Sequence, residues 1–334
     1  MPTIKTGRDR QKTSGPFRSN ALPELIAEAK KTGNVGTLRE LFRNLNASNF
    51  RMDVVDVVFH HLQQKWIVSP NLFLDLNSKE KQHLDDFIVE RALTGAFCTS
   101  KAITRLLLLA PPHMVDRVVE VVVAHLDDYF AWAKYLASHC APVQDSQQGA
   151  RLSDPTMQCR ALLCMLEEPD RRLPEALLNS NLLIEYSIAA WIAVNPLTCG
   201  PYLSFDRNHI CPIMSLFAKL ILSKITQQKV IDVLYAPGSK SRKLRMEVIR
   251  ATISRCATIA QLGREAADKM VARVPLAKVA GRLMTGVEAV VCCMETILQV
   301  VRGLSIVSDM SEGFLRSTFY GELAQAYHTW RLHL

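Results

Sequence analysis

The sequence predicts an all-α protein, an irregular α-solenoid or multi-helix array stacked in the manner of ARM/HEAT arrays but without a regular repeat. Three observations carry this. Apolar residues recur at i, i+3, i+4 and i+7 through most of the chain, the signature of helices with one buried face. Those periodic segments end at Pro or Gly, again and again. The chain nevertheless holds only 14 glycines and 15 prolines, about 9% together against an average near 12%, which leaves little turn material for an all-β protein of this length. No period of about 33–47 residues with recurring signature positions is present, so any repeat is degenerate.

With 334 residues, 49% of them hydrophobic, the chain can fill a large core. The net charge of +8 is local. Residues 1–20 carry Lys5, Arg8, Arg10, Lys12 and Arg18 against Asp9, and residues 240–250 carry Lys240, Arg242, Lys243, Arg245 and Arg250 against Glu247. Away from these two pieces, basic and acidic residues balance. A nucleic-acid-binding surface spreads Lys and Arg along a face of the fold, so nucleic acid is not an expected partner. Nine cysteines, an odd number without an early apolar leader, read as reduced thiols. The longest apolar run, Val287 to Val307, is interrupted by Glu288, Glu295 and Arg302 at seven-residue spacing, which marks a wet helix face and no membrane span.

In chain order, residues 1–20 form a basic tail with no apolar period, expected to be disordered, and residues 21–334 form the helical array. LPELIAEAKKTG and VGTLRELFRNL read as two short helices parted by Gly33. MDVVDVVFHHLQQKW places Val54, Val57, Val58, Leu62 and Trp66 on one side of a third. Ser69-Pro70 offers an N-cap and first-turn proline, and Asn77 with Glu80 resembles a capping box before HLDDFIVERALTGAF. The stretch from Ala102 to Ala137 reads as the centre of the stack. It predicts a buried helix, a Pro111-Pro112 break, and a second helix with Val115, Val119, Val122, Leu126, Tyr129, Ala133 and Leu136 on one stripe. Val118, Val121 and Val123 lie off that stripe, so this helix needs neighbours on two sides. The polar loop Pro142–Pro155 is a possible subdivision. Helices then restart at Pro155, after Pro174 and at Pro212, and long helical patterns follow at Lys240–Ala260, Leu276–Val307 and Glu312–Leu334. The last carries Phe314, Phe319, Leu323, Tyr327 and Trp330, an aromatic face that must fold back on the body or pack on something further along.

Candidate chemistry is sparse. No C-x-x-C occurs; the nearest approach to a metal cluster is Cys199 with His209 and Cys211 around one loop. His125 can meet Asp128 at i+3 as a base with its orienting carboxylate, although such pairs also form plain surface hydrogen bonds. Pro237-Gly238-Ser239-Lys240 lacks the earlier glycine and preceding strand of a phosphate loop. The densest basic cluster is Gly238–Arg245, where Lys240, Arg242, Lys243 and Arg245 form a basic partner patch, an import signal, or the wet first turns of a helix. Positive charge at a helix start opposes the macrodipole, which argues for a use.

Three segments, LPELIAEAKKTGNVGTLRELF, VVEVVVAHLDDYFAWAKYL and LLNSNLLIEYSIAAWIAV, give the chain a resemblance to the helical N-terminal region of basidiomycete MYND-finger proteins. The resemblance implies a C-terminal zinc finger with closely spaced Cys and His that holds partner proteins. This sequence contains no such finger, so it carries no metal ligand over and looks like a truncated or finger-less member. The expectation is a non-enzymatic helical scaffold that binds other proteins between its helices, cytoplasmic or nuclear, with no cofactor. The alternative is a helical enzyme or a metal- or ligand-binding domain with a site near His125 and Asp128 or Cys199–Cys211, and a third reading is a nucleic-acid binder using Lys240–Arg250, with steeply salt-dependent binding.

Overall fold

The computed structural model describes residues 21–67, 78–139, 155–195, 198–203, 211–268, 275–279, 282–317, 319–321 and 323–324. Over these residues the protein is an all-α multi-helix array of fifteen α-helices with two small antiparallel hairpins. The basic tail, Ser69-Pro70, Asn77, the loop up to Asp154, His209, Tyr327 and Trp330 lie outside the described residues.

Helix α1 (Ala21–Thr32) ends where Gly33 turns left-handed at φ 62°, and Asn34 caps α2 (Val35–Asn44) by accepting the Gly36 and Thr37 amides. Val54, Val57, Val58 and Leu62 of α3 (Met52–Leu62) are buried as expected, but the helix stops before Trp66, which sits in a single 3-10 turn, Gln64–Trp66. Helix α4 (Ser78–Phe97) runs through a π turn at Cys98–Ala102 into α5 (Ile103–Leu109). At that turn Thr99 and Ser100 donate their buried hydroxyls to the Gly95 and Ala96 carbonyls. These hydroxyls compete for the helix's own acceptors, which loosens the ladder there. Residues Phe87–Leu109 are long and apolar enough to cross a membrane by length and composition, and 67% of that apolar window is buried inside the fold.

The predicted second central helix divides in two. Helix α6 (Pro112–Ala124) ends at His125, whose backbone leaves the helical region at φ −112°, and α7 (Leu126–His139) begins with Asp127 and Asp128 in its first turn. A run of six residues that is almost all valine holds the helix weakly, and the acidic pair suits a new helix start. The stripe itself survives the break: Val119, Val122, Leu126, Tyr129, Ala133 and Leu136 are all buried. Off the stripe, Val118 is buried too, and Val121 and Val123 pack partly buried against the core, so neighbours do lie on two sides.

Helix α8 spans Pro155–Leu166. The pattern after Pro174 also divides, into α9 (Arg172–Asn179) and α10 (Asn181–Ile192), because Ser180 is extended and its hydroxyl accepts the Leu182 amide. Strands β1 (Val194–Asn195) and β2 (Gly200–Pro201) make a minimal hairpin before α11 (Pro212–Leu222) and α12 (Lys224–Leu234). Helix α11 is among the most enclosed elements, with eight of eleven residues buried, packed on α8, α10, α12 and α14, whereas α6, expected at the centre of the stack, buries only Val118, Val119 and Val122. Its Phe217 stacks on Trp191 of α10 at 4.6 Å.

Two long helical patterns near the C-terminus need correction. Helix α13 (Ser239–Asp268) forms as expected, but Pro275–Val279 and Arg282–Thr285 are strands β3 and β4, so α14 starts only at Gly286 and ends at Leu304. Pro275 and Gly281 are breaker residues in the sequence, but the apolar pattern around them masks the signal. Glu295 and Arg302 do face solvent on α14, while Val290, Met294, Ile297 and Val301 are buried. The predicted helix from Glu312 is interrupted: α15 (Ser308–Leu315) ends in a turn where the Ser317 hydroxyl accepts the Phe319 amide, residues 319–321 and 323–324 are helical again, and Phe314 and Phe319 both fold back into the core.

Candidate functional site

Helix α13 is the ridge on which the candidate residues converge. Gly238, at φ 130°, turns the chain into the helix, and the Ser241 hydroxyl donates back to its carbonyl at 2.7 Å. The four basic residues singled out by sequence then part company. Lys240, Arg242 and Lys243 are exposed, Lys243 lying 3.7 Å from Glu247 one turn on, a pair worth a few tenths of a kcal/mol. Arg245 turns inward instead. Its Nη1 donates to the Leu234 carbonyl at the end of α12 (3.0 Å), its guanidinium lies 4.3 Å over the Tyr235 ring, and Nη2 stands 4.0 Å from Asp309. A cation there satisfies an orphan carbonyl at the negative end of α12, so Arg245 is a helix cap.

Between α13 and α15 runs a groove of about 490 Å³. Gly313 lets α15 come close, since a Cβ there would overlap Ile249 of α13. Met246, Ile249, Ile253 and Met310 give the groove its apolar lining, and Arg242, Arg250 and Arg316 its charge. Arg316 is paired with Glu312 one turn back. Arg242 and Arg250 are exposed and have no hydrogen bond or ion pair among the described residues. Arg250 also borders a second groove of about 420 Å³ on the other flank of α13, against Trp191, Cys199 and Pro201. A third, of about 810 Å³, lies between α5 and α8 beside Leu108, which is 83% exposed.

Of the alternative sites, His125 and Asp128 come together, whereas Cys199 and Cys211 are described without His209. His125 Nδ1 and Asp128 Oδ2 are 3.0 Å apart, and the imidazole stacks on Phe59 at 4.9 Å, so the pair pins the α6–α7 corner to α3. Cys199 is exposed in the β1–β2 turn at φ 52°, whereas Cys211 is buried at the start of α11, and no three potential metal ligands gather among the described residues. Five of the described cysteines are buried, and burial pushes the Cys98 thiol up to about 12, holding it protonated.

Two polar centres were not legible in the sequence. Arg255 is wholly buried without a carboxylate: Nη1 donates to Tyr202 O (2.7 Å), Nη2 to Trp191 O (2.9 Å), and the guanidinium lies 4.8 Å over the Trp191 ring. It caps the C-terminal end of α10, with desolvation lowering its pKa. The other is His61, buried where α1, α3 and α4 meet; its Nε2 lies 2.9 Å from Ala29 O and its Nδ1 3.5 Å from Arg91 Nη1. Desolvation, with the His60 and Arg91 charges, lowers its pKa to about 4 even though the Ala29 carbonyl favours the cation. Neither residue belongs to a local motif, because each partner set comes from elements distant in sequence. For the groove, a signal did exist: Arg242, Met246 and Arg250 fall at i, i+4 and i+8. Comparison with protein-family models, with curated proteins and with solved structures returned no match.

Proposed function

We propose that this chain is a non-enzymatic helical scaffold, cytoplasmic or nuclear, that docks other proteins in the grooves between its helices. The observation that carries the reading is the α13–α15 groove, where an apolar floor and two unpaired arginines face solvent. Apolar area flanked by unsatisfied charge is the composition of a docking surface: the floor supplies affinity and the charges supply register and choice of partner. The buried histidine and arginine, by contrast, are spent on holding helix ends. Kinship with the helical region of MYND-finger proteins is part of the same proposal, supported by the three segments quoted above, two of which span α6–α7 and α9–α10.

The test is site-specific photo-crosslinking in cells. A photoreactive residue in place of Met246, in the groove, is expected to trap a discrete partner polypeptide. The same residue in place of Glu295, on the solvent face of α14, is expected to trap none. Identical products at both positions, or none at Met246, would overturn the reading.

A further inference from the structure

We propose that the α13–α15 groove takes an acidic amphipathic helix of another protein, its carboxylates on Arg242 and Arg250 and its apolar side chains on Met246 and Ile253. This rests on the docking reading above. Arg242 and Arg250 are eight residues apart on one helix, so their Cα atoms are about 12 Å apart along its axis. A partner helix laid along the groove would match them with two acids seven or eight residues apart, and would turn the residues between, at i+3 and i+4, onto the floor. That floor is already open: Met246 is 41% exposed, and Ile249 beneath it is fixed by α15. An occupant therefore removes apolar surface from water without first displacing anything.

The charge of the groove selects the sign of the partner. Four arginines line it against two acids, Asp309 and Glu312, and both acids are already engaged, with Arg245 and Arg316. What is left over is the positive charge of Arg242 and Arg250. The same two acids, set in the opposite wall, argue against a nucleic acid, whose phosphates would meet them and whose backbone would gain nothing from Met246 and Ile253. A groove between two helices is also the shape that a third helix fills by ridges-into-grooves packing.

The experiment is selection of displayed random peptides of about 16 residues, roughly four helical turns, on the full chain, followed by anisotropy titration of the fluorescein-labelled winners. Enriched peptides should carry two Asp or Glu residues seven or eight apart with Leu, Ile or Phe between them. Their affinity should fall about tenfold or more on Arg242→Glu with Arg250→Glu, and again with added salt or on Glu→Gln replacement in the peptide. Both arginines are exposed, so the double variant should keep the parent's circular dichroism spectrum. A labelled single-stranded oligonucleotide should not compete. Absence of enriched peptides, winners without the acidic pair, indifference to the double variant, or tighter binding of the oligonucleotide at the same arginines would each overturn the inference. If the groove crosslink at position 246 still traps a polypeptide in any of those cases, the docking reading stands and only the acidic helix falls.

Discussion

Acidification should destabilise this protein through His61. The ring is 2% exposed. One nitrogen donates to the Ala29 carbonyl at the end of α1, while the other faces the Arg91 guanidinium. A proton added to that second nitrogen would put two cations together in a site with little water. The folded-state pKa is accordingly lowered to about 4 from the ordinary 6.5, whereas the unfolded chain titrates at the ordinary value. Below pH 6.5 the unfolded state therefore binds the proton first, and stability that is fully present above 6.5 is lost as pH falls towards 4. Between pH 7 and pH 5 the loss is about 2 kcal/mol, an upper figure because the partly exposed Arg91 and His60 let solvent screen part of the repulsion. The assay is urea unfolding followed by helical circular dichroism at several pH values, for the parent and for His61→Gln, which keeps a donor for Ala29 but does not titrate. The parent should lose about 2 kcal/mol more than the variant over that interval. Parallel loss in both proteins would refute the assignment of the proton to His61.

Gly95 lies against Trp132 where α4 crosses α7, and an added Cβ would overlap the ring, so Gly95→Ala should cost about 1–3 kcal/mol in unfolding free energy despite alanine's better helix propensity; a gain in stability would contradict that crossing. Gly33→Ala meets a positive φ and a Cβ 2.7 Å from His61 Cε1, and should lower the thermal midpoint by the equivalent of about 1–2 kcal/mol. Arg255→Met removes the donor for Tyr202, Ala190 and Trp191 and leaves buried carbonyls unpaired, a loss of about 3 kcal/mol that a neutral result in chemical denaturation would contradict. Arg245→Ala should destabilise the fold by about 1 kcal/mol through the lost α12 cap, whereas Lys240→Ala and Lys243→Ala, both at exposed positions, should shift unfolding by no more than about 0.5 kcal/mol.

The sequence by itself determined the helical class and most helix starts, because both are local. Apolar spacing over two or three turns shows a helix's buried face, and Pro112, Pro155 and Pro212 open α6, α8 and α11 with no help from the rest of the chain. It also located the basic cluster, since charge density is a property of composition. What only the tertiary structure decided is whatever depends on partners distant in sequence. The break at His125 is held by Phe59, the inward turn of Arg245 by Leu234 and Tyr235, and the burial of Arg255 by carbonyls more than fifty residues away. The hairpin at 275–285 was hidden for a related reason: a short apolar run fits a strand and a buried helix alike, and cross-strand pairing chooses between them. The groove needed both. The spacing of Arg242, Met246 and Arg250 was written along one helix, but only the seating of α15 on α13 through Gly313 turned that face into a cleft, because a cleft is the space between two elements and exists only once they have packed.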